Sequence, residues 1–238
     1  METPTGTPGH AAEAVHISRR YEQDLEQLRE QILAMGRSVV EMIVGTMRAL
    51  VERDSALATR MIEKDHEINR FEVMIDERSL NIIALRQPAA RDLRFITLAL
   101  KVSTDLERIG DLCVNIAERA LELNEEPQLK PYMDLPRMAE AAQSMVSDAL
   151  EAFVRPDADL AAEVTLRDDI VDQLNVQVFR ELLTFMMEDP KTISRATRLM
   201  FIGKYLERIA DHATNIAEMV IFMVKGKDIR HMGIAEEK

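Results

Sequence analysis

The sequence predicts an all-α protein, two tandem three-helix bundles related by internal duplication. Three observations carry that prediction. The composition is 47% hydrophobic but only 4% aromatic, with no Trp, 15 Met and 8 Gly, so the apolar content is aliphatic and suits interlocking helices better than sheets. Apolar residues recur every three to four positions, and no segment alternates like a half-buried strand. Finally, "LERIGDLCVNIAE" at 106–118 returns as "LERIADHATNIAE" at 206–218, the mark of a duplicated unit.

Each element follows from local signals. A first helix runs from about Ile17 to Val51, and "ERDSAL" supplies a turn with Asp54 or Ser55 as N-cap. The second carries Leu57, Met61, Ile68, Phe71, Ile75 and Ile82 on one face and stops before Pro88. The third, from about Ala89 to Leu123, spaces Phe95, Leu98, Val102, Leu106, Ile109, Cys113, Ile116 and Ala120 by threes and fours. "ELNEEPQLKPYMD", with two prolines and no apolar stripe, separates the halves. The pattern then restarts: a shorter fourth helix from Asp134 or Leu135, a cap at Asp157, a fifth helix to about Met187, and a sixth from about Lys191 to Lys225. A helix pair cannot close a core whereas three antiparallel helices can. The expected organisation is a disordered tail over 1–16, bundles over 17–124 and 134–228, and a C-terminal tail over 229–238.

Charge narrows the function. The formal net charge of −12 repels phosphate backbones, which argues against nucleic-acid binding and favours metal cations. A single cysteine, Cys113, excludes an intrachain disulfide framework and fits a reducing cytosol; its apolar helical position predicts core packing. The N-terminal "METPTGTPGHAAEA" has neither the basic start nor the apolar core of a secretory signal. No apolar run approaches the roughly 20 residues of a membrane span.

The repeat also duplicates a cost. Glu107 and Asp111, then Glu207 and Asp211, are like charges four apart, a spacing that repels by roughly 0.2–0.5 kcal/mol on a helix. Antiparallel helices place side by side residues equally far from their turn. Asp65 and Asn69 lie 23 and 19 positions before Pro88, and Asp111 and Glu107 lie 23 and 19 after it. Asp168 and Asp172 precede Pro190 by 22 and 18, while Asp211 and Glu207 follow it by 21 and 17. Each hairpin should therefore gather two polar pairs into one patch. Glu107, Asp111, Asn115 and Glu118 lie about 100° from the apolar stripe, flanking the core rather than filling it. Converging carboxylates raise one another's pKa or bind a cation. An oxygen-rich donor set suits magnesium, manganese or calcium, with iron or zinc as alternatives. A plain solvated edge, relieved by Arg108 and Arg208, is the competing reading. Asn115 and Asn215 are further candidate ligands. His212 could add a nitrogen to the second patch, although its position beside Asp211 turns it about 100° away and predicts an exposed ring.

Other motifs carry less. Glu63 and His66 have the Glu-x-x-His spacing of di-iron bundles, but "LRDD" in the second half has no His, so the spacing reads as coincidence. Arg86, Arg91 and Arg94 near the first turn read as solvated. No Gly-rich phosphate loop, GxSxG elbow or Cys/His cluster is present.

Taken in order, "DLEQLREQILAMG", "RQPAARDLR", "DLERIGD", "TFMMEDPKTISR", "YLERIADHATNIAE" and "VKGKDIRH" resemble the PhoU family of bacterial phosphate-uptake regulators across residues 17–233. The resemblance implies two three-helix bundles, often as a homodimer. It also implies E(D)xxxD motifs that carry multinuclear iron or zinc clusters, here Glu107 with Asp111 and Glu207 with Asp211. The implied function is negative regulation of the phosphate-starvation response, without catalysis. In that role the protein couples the ATPase subunit of the phosphate transporter to a sensor histidine kinase, in the cytoplasm at the inner membrane face. One departure is Tyr205 where the first half has Asp105; another is Asp172 at the position of Asn69. Two further readings compete: a carboxylate-bridged metal enzyme, an oxidase or phosphohydrolase, and a metal-free structural adaptor.

Overall fold

A computed structural model describes residues 8–226. Six helices follow one another: α1 (Pro8–Glu52), α2 (Ser55–Arg86), α3 (Ala90–Asn124), α4 (Asp134–Val154), α5 (Ala158–Glu188) and α6 (Ile193–Lys225). No strand occurs among the described residues. The all-α prediction of tandem helical bundles holds. The helix ends are chemical. Asp54 accepts from the Leu57 N–H and caps α2; Asp157 accepts from the Asp159 and Leu160 N–H groups and caps α5. Both satisfy amide donors that a helix start leaves unpaired. Pro88 cannot continue α2, and Gln87 just before it takes a left-handed φ of 47°. Gly226 closes α6 at φ 68°, where a residue without Cβ carries little penalty.

One boundary differs from expectation. Residues 8–16, read as tail, are helical, because α1 begins at Pro8 rather than near Ile17. Proline fits a first helical turn, and the alanines of "HAAEAV" after it favour helix. Residues 1–7 and the expected C-terminal tail at 229–238 lie outside the described residues.

Within the first half α1, α2 and α3 pack together, and within the second α4, α5 and α6. Ile68 and Ile75 of α2 and Leu106, Ile109, Cys113 and Ile116 of α3 are fully buried in one core. The two bundles also share a core. α3 packs along α6 and α1 along α4, and the rings of Phe95 and Phe153 stack at 5.2 Å across that boundary. The linker is held by arginines. Arg53 donates to the carbonyls of Asn124 and Glu126, Arg195 to that of Pro127, and Arg198 to the carboxylates of Glu122 and Glu126. Arg86 is paired with Asp24 of α1, so it is committed to packing rather than simply solvated. Among the described residues no helix is long and apolar enough to cross a membrane.

Two neighbours on α3 separate packing from surface charge. Ile109→Ala leaves a cavity in a fully closed stripe and should cost about 2–5 kcal/mol in urea unfolding. Arg108→Ala, with its side chain 58% exposed, should cost less than about 1 kcal/mol.

Candidate functional site: two acidic seams

The site begins with the rotation of α3 and α6. Because Leu106, Ile109, Cys113 and Ile116 are fully buried, the helix cannot turn. Glu107 and Asp111, one residue on, are held along the edge that faces α2. From α2 Asp65 reaches across to meet them where α3 carries Gly110; a Cβ there would lie 3.3 Å from Asp65 Oδ1. The missing side chain makes room for the carboxylate.

The first seam is desolvated and crowded with like charge. Asp65 accepts from the Asn69 amide through Oδ2 at 2.8 Å, while its Oδ1 is buried without a partner. Burial, then the Asp111 charge, pushes the Asp65 carboxyl upward. Burial and Asp111 do the same to Glu107. Asn69, expected beside Glu107, turns to Asp65 on its own helix. Arg108 gives partial relief, 3.5 Å from Glu107 and 3.4 Å from Asp111, but an exposed guanidinium in high dielectric is a weak counter-ion.

The second seam repeats the arrangement. Asp168 occupies the place of Asp65, with its Oδ1 buried and the Thr214 hydroxyl near enough to favour its ionised form. Burial first, then Asp211 and Asp172, pushes its carboxyl up to about 6. Asp172 is raised by burial and by Glu207, and Asp211 by burial and by Glu207. All eight expected positions therefore lie on the two seams. Asn115 is half-buried and Asn215 exposed, and among the described residues neither hydrogen-bonds to the acids.

His212 is a correction. Its ring is not exposed: it is largely covered, with Nδ1 2.8 Å from Asp105 Oδ1 across the α3–α6 boundary. The 100° turn away from Asp211 points the imidazole at the other bundle rather than at solvent. Glu63 and His66 are both exposed.

Four seam residues were not anticipated. Glu72 sits by Asp76 and is raised by burial and by that neighbour; its Oε1 accepts from the Thr104 hydroxyl at 3.4 Å. Asp76 is raised by burial. Asn175 donates to Glu207 Oε2 at 3.1 Å, and Lys204 pairs with the same oxygen. The register that gathered the others also reaches these, since Glu72 and Thr104 lie 16 positions either side of Pro88. The donor set is oxygen-rich, the chemistry a hard cation takes. The acids are strung along the seams in pairs. Among the described residues, no three His, Cys, Asp or Glu side chains converge on one point that could hold a metal ion.

Comparison with known proteins places this architecture. The PhoU domain family model matches twice, at residues 32–120 and 135–220. The chain is 46% identical over 220 residues to a Pseudomonas putida protein named phosphate-specific transport system accessory protein PhoU homolog, covering 92% of this chain and 86% of that one. It is 38% identical over 218 residues to the PhoU accessory protein of Escherichia coli strain K12, covering 92% and 90%. The crystal structure of PhoU from Pseudomonas aeruginosa superposes with a TM-score of 0.84 at 44% identity, covering 87% of this chain and all of that one. The crystal structure of the Streptococcus pneumoniae phosphate transport system regulatory protein PhoU superposes at 0.81 with 31% identity, covering 87% and 98%. The chain belongs to the PhoU family.

Proposed function

We propose that this protein is a metal-binding adaptor of a phosphate-specific transport system that signals phosphate sufficiency by protein contact rather than by catalysis. The observation that carries the metal reading is the buried, unpartnered Asp65 Oδ1, with Asp168 at the equivalent place in the second of two acidic seams. An uncompensated buried carboxylate is costly, and a cation is the partner that suits it. When bound, the metal supplies positive charge between the two helices of each hairpin. Asp65, Glu107 and Asp111 would have to draw together to hold it in the first seam, since among the described residues no three such side chains converge on one point, with Asn69 orienting Asp65. Asp168, Asp172, Glu207 and Asp211 would hold it in the second.

The adaptor reading draws on the relatives, which are named accessory proteins of phosphate transport. The protein would act in the cytoplasm at the inner membrane face, between the transporter ATPase and the sensor histidine kinase, as a homodimer. In that role it restrains the starvation response while phosphate is plentiful. The seams offer carboxylates and amides on rigid helices, a surface suited to holding charge in place. His212, beside Asp211, is occupied by Asp105, and His66, beside Asp65, is exposed, so no observation favours the metal-enzyme reading.

Two outcomes follow. A strain lacking the gene should keep a phosphate-starvation reporter switched on in phosphate-rich medium. A wild-type copy should silence it, and a folded Glu107→Ala/Asp111→Ala/Glu207→Ala/Asp211→Ala copy should not. A silent reporter in the deletion strain would refute the regulatory role. The second outcome concerns pH. The Asp168 carboxyl rises from its ordinary 3.8 to about 6 on folding, so the folded protein binds that proton more tightly than the unfolded chain. Its contribution to stability is complete below the ordinary value and is lost as pH rises through the raised one. In chelator, the melting temperature should therefore increase from about pH 7.5 to about pH 5.5, and Asp168→Asn should flatten the increase. A steady decrease over that interval would contradict the repulsion assigned to the seam.

A further inference from the structure

One pole of the bundle gathers exposed cations that have no ion-pair partner. Three contacts bring separate helix ends together there. The Tyr21 hydroxyl of α1 donates to Asp92 of α3 at 2.6 Å, and Arg86 at the end of α2 pairs with Asp24 of α1. Gly226 closes α6 against the start of α3, where a Cβ on it would lie 3.7 Å from the Arg94 guanidinium. Arg19, Arg20, Arg91, Arg94 and Lys225 belong to this pole and are exposed. Among the described residues, none of the five forms an ion pair or a hydrogen bond through its side chain.

The nearby acids leave a positive excess. Asp24 is held by Arg86 and Glu26 by Arg29, so Asp92 and the exposed Glu22 are what remains to face the five cations. Asp157 and Asp159 are exposed at the start of α5, which packs on α4 and α6 and does not touch α2. The chain's net charge of −12 does not cancel the excess from a distance. Asp76, the seam acid nearest along α2, lies ten residues before Arg86. That is about 15 Å of helix, beyond a Debye length of about 8 Å. Apolar side chains are set among the cations: Leu85 is 74% exposed, Val224 45% and Leu93 38%.

We propose that this pole is a peripheral docking surface for an anionic lipid bilayer. Arginine and lysine carry their charge on long apolar stems, so their heads can reach lipid phosphates while the leucines enter the layer between them. A plane of negative charge complements unpaired cations spread over three helix ends. A shaped acidic protein surface would instead call for cations held in fixed positions. The proposal is independent of the seams and of any metal in them, and it adds a lipid contact to the protein contacts of the adaptor.

The test is sedimentation of the full chain, in chelator, with protein-free phosphatidylcholine vesicles made with and without an equal share of phosphatidylglycerol. Wild type should bind the anionic vesicles in preference to the neutral ones and come off at high salt. Arg91→Ala/Arg94→Ala should weaken that binding about thirtyfold, the scale of two basic residues at an anionic surface. Arg37→Ala/Arg60→Ala removes the same charge from exposed, unpaired positions elsewhere and should weaken it less than about threefold. Equal loss in the two double variants, or no preference for anionic vesicles, would overturn the proposal. Binding to native membranes but not to protein-free vesicles would assign the pole to a protein partner and overturn it as well.

Discussion

Everything in the two seams depends on one constraint: a carboxylate row that flanks a closed aliphatic stripe cannot rotate away from its neighbours. Leu106, Ile109, Cys113 and Ile116 are sealed in the core, and turning α3 to separate Glu107 from Asp65 would bring them into water. At about 25 cal/mol per Å² of apolar area, that exposure costs far more than the charge repulsion it would relieve. Packing therefore wins, and the acids stay crowded and half-desolvated. The same competition has the same result along α6. Repulsion persists because the fold outweighs it, and a mobile cation offers relief without any change of packing.

The bundles are not independent copies joined by a string. Their cores merge through Phe95 and Phe153, and arginines from α1–α2 and from α6 hold the linker. Midway along the shared face, Asp105 of α3 meets His212 of α6. Positions 100 apart from these are Tyr205 and Leu112, so a related contact across the pseudo-symmetric face would be apolar. Tyr205 instead stacks near Phe201 at 6.2 Å. The duplication has kept the helical frame and varied what lies on it. His212 and Asp211 share a helical turn, so the second seam adjoins the boundary between bundles.

Much of this was legible in the sequence, for physical reasons that also mark where legibility stops. Caps at Asp54 and Asp157 are local chemistry, and their positions could be read directly. The seams were legible because a hairpin with a proline turn has a fixed register, which brought Asp65 to Asp111 without any knowledge of tertiary structure. Glu72, Asp76, Asn175 and Lys204 obey that register too, but they lie outside the duplicated E-x-x-x-D spacing that drew attention to the rest. His212 was misjudged because a helical wheel shows which way a side chain points and not which element waits there. The α3–α6 contact joins residues whose pairing no turn sets. The early start of α1 followed the helix propensity of "HAAEAV" rather than the compositional look of a tail.

The proposed cation sites lie between α2 and α3 and between α5 and α6. Crystals of the chain soaked in Mn²⁺, with diffraction collected near the manganese absorption edge, test it most directly. Metal binding at the seams predicts anomalous density beside Asp65, Glu107 and Asp111, and beside Asp168, Asp172, Glu207 and Asp211. Density confined to other surfaces, or none at either seam, would contradict it.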